Sequence, residues 1–371
     1  MKRRSFLEKV ALSGALVGIA PTISCTNSKG KLKILVLGGT NFLGPAIVNS
    51  CVANGHAVTL FNRGITNPDL FSGILPQIKG DREDGKNCYE PLQETHWDVV
   101  FDVWPQRAKL VEEATEALKS FAKHYVFVSS VAVYKDFNEA GRNEDDSVLT
   151  LPKDKSTWSY PEEKIASENF VVKRFPKNHT ILRPGPIKGW RDPAHDLLYW
   201  ILKLQRDQNV LAPGSGTDPL QFIDVKDVGR FATTALENKL FGVYNCVGPT
   251  KETLNWKNFL ETAKSHLNSK SNLFWSSRKF LETHQVYPWD SLPLWAPTSD
   301  DYFMEVSNAK AVAAGFSYTP IEKTLDDCLA WCNRQGEIDM VFGTGNDPIG
   351  ITHEKELEVI SGIVKEAQTN E

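Results

Sequence analysis

Apolar residues along this chain gather in short runs between polar turns, and the first clear run is Lys33-Ile34-Leu35-Val36-Leu37. Its length predicts a strand. A glycine-bearing turn follows, Gly38-Gly39-Thr40-Asn41-Phe42-Leu43-Gly44, and Pro45-Ala46-Ile47-Val48 opens a helical pattern. Pro45 suits a first helical turn, where no intrahelical N–H is required. Ala57-Val58-Thr59-Leu60-Phe61 predicts a second strand and completes a βαβ unit with its glycines at the first turn. Further strand-like runs lie at 75–79, 98–103, 125–128 and 242–247, and a helical stretch opens at Tyr160. This alternation predicts an α/β fold built on a doubly wound parallel sheet.

The first turn has the chemistry of a phosphate cradle. Gly38 permits the tight turn, Gly44 permits close helix–sheet packing, and the helix N-terminus faces an anionic pyrophosphate. Thr40, Asn41, Phe42 and Leu43 complete the turn. Asn41 is of the residue type that tolerates a left-handed conformation next best after glycine. The second strand ends Asn62-Arg63-Gly64. An acidic residue there would bind adenosine ribose hydroxyls, whereas an arginine pairs with a 2′-phosphate. The expected cofactor is therefore NAD or NADP, with the balance toward NADP.

A second constellation carries reactive groups. The run 125–128 leads into Ser129-Ser130-Val131-Ala132-Val133-Tyr134, and Tyr160-Pro161-Glu162-Glu163-Lys164 comes thirty residues after Ser130. Tyr160 and Lys164 stand four apart at a helix start and so share one face. A phenol near pKa 10 is a poor base at neutral pH. A neighbouring ammonium, with a bound nicotinamide cation, would stabilise the phenolate. A serine hydroxyl from a strand end would hold the substrate oxygen while hydride moves to or from the nicotinamide.

The ordered set of glycine turn, Ser-Ser-x-x-x-Tyr, Tyr-x-x-x-Lys and Leu182-Arg183-Pro184-Gly185-Pro186 resembles the extended short-chain dehydrogenase/reductase superfamily, NAD-dependent epimerase/dehydratase family. The resemblance covers roughly residues 31–335 and departs from the family at Asn41, a glycine there, and at Asp102-Val103-Trp104-Pro105, often Asn-x-Ala-Gly there. It implies a Rossmann-type sheet at 31–186 and a smaller, discontinuous substrate domain in 187–371, with segments near 221–247 returning to the sheet. It also implies that Ser130 is the active serine, Tyr160 the acid/base, and Lys164 the group that binds the nicotinamide ribose. Asp81 would approach the adenine with Arg82 beside it, and Pro184 to Ile187 would lie beside the nicotinamide. His195, which follows this segment on the substrate side, is a candidate substrate contact. The loop 287–297 and Trp190, Trp200, Trp256 and Trp275 supply aromatic faces of the kind that stack on sugar rings or fill a core.

The 371 residues are 41% hydrophobic and 24% charged, as in ordinary globular proteins. A net charge of −4 lacks the electrostatic footprint of a dedicated nucleic-acid binder. Six cysteines in a chain this long are no disulfide scaffold, and no Cys-x-x-Cys or His-x-x-x-His pair offers a metal site.

At the N-terminus, Arg3-Arg4-Ser5-Phe6-Leu7 precedes a mild apolar run at 10–20 and resembles a twin-arginine export signal. That run is too short to span a bilayer, where about twenty residues are needed. Residues 1–30 therefore read as export signal and linker, and the protein as periplasmic or anchored facing the periplasm. Cys25 follows a small residue, as at a lipoprotein cleavage site; a lipid anchor there and simple cleavage nearby both remain open.

Export changes the expected chemistry. A dehydrogenase that must exchange its cofactor each turnover would stall where no NAD(P) pool exists, whereas an epimerase or dehydratase returns its hydride. The expectation is a redox-neutral reaction with tightly held NAD(P), acting on a sugar or other polyol. The alternatives are a cytoplasmic NADPH-dependent reductase with exchangeable cofactor, and a non-catalytic binding protein on the same fold, as in the chloroplast stem-loop RNA-binding proteins of similar plan.

Overall fold

The computed structural model describes residues 30–103, 106–335 and 350–369. The N-terminal residues expected to form an export signal, with Cys25, and the Trp104-Pro105 step lie outside them.

Seven strands form one sheet: β1 (Lys33–Leu37), β2 (Ala57–Asn62), β3 (Gln77–Lys79), β4 (Val99–Asp102), β5 (Tyr125–Val128), β6 (His179–Pro184) and β7 (Gly242–Cys246). Their order is β7-β6-β5-β4-β1-β2-β3, and every pairing is parallel. The chain runs outward from β1 in both directions, so the direction reverses between β1 and β4. In open sheets of this kind, ligands bind beyond the carboxyl ends of the strands at that reversal. Leu37 is level with both Phe61 and Asp102, and Asp102 with Phe127, so these four strand ends form one edge.

Strands buried on both faces read as unbroken apolar runs. Ile34, Val36, Leu60, Phe101 and Val126 face helices α1 (Leu43–Ala53) and α5 (Val225–Glu237). Leu35, Leu37, Val100, Tyr125 and Phe127 face α2 (Ala108–Leu118) and α3 (Tyr160–Arg174). The backbones of α1 and α5 nearly touch. A Cβ at Gly229 would lie 2.7 Å from the Ala46 carbonyl.

The segments near 221–247, expected to return to the sheet, do so only in part. Only Ile223–Asp224 is extended, and it pairs with Ile187–Lys188 apart from the main sheet, while Gly242–Cys246 supplies the edge strand. Asp224 ends the extension because its carboxylate caps α5, accepting the Lys226 N–H at 2.7 Å.

A separate core fills the second half of the chain, around α4 (Asp196–Arg206), α6 (Trp256–His266) and the helix Ile321–Gln335. Trp200, Trp256 and Trp295 are fully buried there, so three indoles in this half are packing residues rather than sugar platforms. Trp289, by contrast, is 41% exposed and holds a left-handed φ of 63°. Cys328 and Cys332 are free and buried on one helix.

Candidate active site

The turn after β1 owes its shape to two left-handed glycines, Gly38 (φ 105°) and Gly39 (φ 98°). A Cβ on Gly44 would lie 2.6 Å from the Gly39 Cα. Gly44 therefore lets the first turn of α1 lie against the turn that leaves β1, and a second close contact, of α5 on α1, belongs to Gly229. Gly39 was legible only as the second half of a Gly-Gly pair. Asn41 is exposed and outside the left-handed region, so its tolerance of that conformation goes unused. Thr40 is buried, and its carbonyl accepts the Asn67 amide at 2.7 Å. Phe42 and Leu43 lead into α1, whose first turn follows directly on the cradle.

Ser130, Tyr160 and Lys164 come together at the carboxyl end of β5. Ser130 is held by its place after the strand, where its Oγ accepts the Ala132 N–H at 3.1 Å. That leaves the hydroxyl proton to donate, and Ser130 hydrogen-bonds to the Tyr160 phenol. Tyr160 opens α3, whose start is fixed by the Glu162 carboxylate accepting the Ser159 N–H at 3.0 Å. Lys164 is one turn further on and almost wholly buried. Its ammonium donates to the Val128 carbonyl at 2.9 Å and lies 5.6 Å from the Tyr160 ring centre.

The electrostatics differ from the simplest expectation. Burial pushes the Tyr160 phenol up, and the Ser130 hydrogen bond offsets only part of that. Lys164 goes the other way: burial lowers it to about 8, although the Asp102 and Glu168 carboxylates pull it upward.

At the other end of the edge, Asn62 uses its side-chain oxygen to accept the Gly64 N–H at 2.9 Å. Its buried amide nitrogen has no hydrogen-bond partner among the described residues, and neither has the buried Ser129 hydroxyl at the end of β5. The two orphans stand three strand spacings apart, about 14 Å, on either side of the glycine turn. A dinucleotide lying along this edge would supply partners to both, so the residues present fit that group. Arg63 is half exposed and 4.0 Å from Asp81, which also caps the turn after β3. Lys79 was not foreseen; its side chain passes 3.3 Å from where a Gly64 Cβ would be, beside Arg63.

The remaining candidates make contacts of their own. Arg82, expected beside the dinucleotide, turns its guanidinium to Asp102, the Tyr89 hydroxyl and the Leu110 carbonyl. Pro184 ends β6 level with Cys246, and Ile187 follows in the short ladder with Ile223. His195 is half buried at the N-terminus of α4 with a left-handed φ of 59°, and the Asp196 that follows it pairs, with Asp192, to Lys188. Among the described residues Asp207, His353 and Glu356 converge, but the Lys203 ammonium pairs with both of those carboxylates.

The profile of the NAD dependent epimerase/dehydratase family matches residues 34–247, more than half of the chain. The chain belongs to that family. The chain is also similar to the chloroplast stem-loop binding protein of 41 kDa b from Arabidopsis thaliana, 29% identical over 229 residues. The match covers 57% of this chain and 57% of that relative, so it spans a little over half of either length. Solved epimerases share the fold. The UDP-glucose 4-epimerase of Thermotoga maritima, determined with UDP-glucose, aligns at a TM-score of 0.60 and 17% identity over 82% of this chain and 99% of that one. The UDP-glucuronic acid 4-epimerase of Bacillus cereus, in complex with NAD, aligns at 0.57 and 18% identity over 84% of this chain and 100% of that one.

Proposed function

We propose that this protein is an NAD(P)-dependent epimerase or dehydratase acting on a secondary alcohol of a sugar or related polyol. The observation that carries the reading is the Ser130–Tyr160 hydrogen bond with the Lys164 ammonium one helical turn away, at the sheet edge that bears the glycine turn. Bound NAD(P) would supply a hydride acceptor that later returns the hydride. The remaining work falls to the chain. Ser130 holds the substrate hydroxyl, Tyr160 takes and returns its proton, and Lys164 supports the phenolate while donating to the cofactor ribose. The glycine-turn amides would hold the pyrophosphate.

Arg63 and Lys79 at the end of β2 and β3, with no acid at the strand end, support NADP over NAD. The twin-arginine resemblance supports export with the cofactor already loaded, and hence redox-neutral chemistry on a substrate that is not a nucleotide sugar. Cys25 is then either a lipid anchor or a residue removed with the signal.

Mass spectrometry of the purified protein under native conditions tests this directly. Near-stoichiometric NADP or NAD is expected. An empty protein that rebinds neither dinucleotide tighter than about micromolar would overturn the tight-cofactor reading.

The likeness to a stem-loop binding protein gives a second reading, a binding role on the same fold. A net charge of −4 weighs against RNA as the ligand. A salt-dependent shift of structured RNA at physiological ionic strength would decide for it.

A further inference from the structure

Beneath the candidate site, on the face of the sheet that packs α2 and α3, lies a charged network outside the Ser-Tyr-Lys set. Asp102 ends β4 fully buried. Arg82 grips its carboxylate with two hydrogen bonds, 2.6 Å and 3.0 Å, and the Tyr125 hydroxyl donates to it at 2.6 Å. Arg82 is fixed in turn by the Tyr89 hydroxyl at 3.0 Å and the Leu110 carbonyl at 2.7 Å. The carboxylate therefore has one available orientation.

Strand register places this carboxylate behind the active lysine. Asp102 is level with Phe127 on the neighbouring strand, and the Lys164 ammonium lies 5.2 Å from the Phe127 ring centre. Carboxylate and ammonium thus flank one aromatic ring on a single face of the sheet. Among the described residues the charged and titratable groups around Lys164 are few. Tyr160 and Glu168 come from its own helix and Asp102 from β4, with Tyr125 of β5 on the Asp102 carboxylate. Arg82 stands behind Asp102, and Arg183 of β6 clamps Glu168 through bonds of 2.9 Å and 2.7 Å. An ammonium this deeply buried loses its proton readily unless a fixed negative charge stands nearby.

We propose that Asp102 is a positioning residue for Lys164: its carboxylate, locked by Arg82 and Tyr125, is the counter-charge that keeps the buried ammonium protonated beside Tyr160. The role rests on the reading of Lys164 as the support of Tyr160, but the charge coupling itself can be measured without cofactor or substrate. Because Arg82 partly cancels Asp102, the pair sets the strength of the field, and its two members act on Lys164 with opposite signs.

The test is an NMR titration of lysine side chains in the full-length protein, with the Lys164 resonance assigned by its loss in Lys164→Arg. The wild-type midpoint is expected at about 8. Asp102→Asn should lower it by about one pH unit or more, and Arg82→Met should raise it. Both single variants strand a buried charge. The double variant Arg82→Met/Asp102→Leu buries none, and its midpoint should fall by roughly half a unit. Circular dichroism establishes which variants are folded. A purely structural pair would leave Lys164 titrating as in the wild type in any folded variant, and that result overturns the proposal. Failure of the wild type to bind any dinucleotide would overturn the proposed function instead, and the titration would still judge the coupling.

Discussion

Tyr160 shares a hydrogen bond with Ser130 at the end of β5, while Lys164, one turn along the same helix, reaches past it to the Val128 carbonyl. The phenol is thereby tied to the serine that caps the short turn following β5. Tyr160→Phe removes the hydroxyl that the proposed function makes the proton carrier and leaves the ring in place. Turnover on any accepted substrate should fall by roughly a thousandfold or more. The affinity for the dinucleotide, read by quenching of tryptophan fluorescence, should stay within about threefold of wild type.

Arg63 follows β2 and Lys79 ends the neighbouring β3, where the proposed reading puts the adenosine. Arg63→Ala should weaken NADP about tenfold and leave NAD nearly unchanged, as loss of one charge-assisted contact implies. Lys79→Ala should act in the same direction by a smaller factor. Equal weakening of both dinucleotides would remove these residues from cofactor choice.

Gly44→Ala tests the turn. The added methyl would meet the Gly39 backbone at 2.6 Å, and backbone cannot move aside as a flexible side chain can. Denaturant unfolding should show a loss of roughly 3 kcal/mol, and dinucleotide affinity should fall at least about tenfold.

Acid sensitivity should trace to His124. It is buried against Thr180 at 2.8 Å, and burial, with His179 nearby, lowers it from 6.5 to about 4. The unfolded chain therefore binds a proton that the folded chain refuses between these two values. Stability contributed by the neutral ring is fully present above pH 6.5 and is lost as pH falls toward 4, by up to about 3 kcal/mol. In His124→Phe the unfolding free energy should vary less steeply across that window.

The sequence made the sheet legible because its strands are buried on both faces and stand out as apolar runs. Ser130, Tyr160 and Lys164 were legible because one helical turn and one strand end suffice to bring them together. What could not be read was the partner of each charged group. Arg82 follows Asp81 directly, yet its guanidinium is claimed by Asp102, twenty residues on, because β4 places that carboxylate within reach. A second close approach was hidden for a similar reason. Gly44 meets Gly39 within one short turn, whereas the glycine that lets α5 rest on α1 lies far along the chain at Gly229.

That last contact has a consequence for how the molecule comes into being. Helix α1 is made early in synthesis, but the surface it rests on, α5, and the outermost strand, β7, emerge nearly two hundred residues afterwards. A chain halted near residue 186 would expose one flank of its sheet to water and leave the rim of β6 open to mispairing. The nucleotide crevice is thus a late product of translation, complete only once Cys246 has left the ribosome.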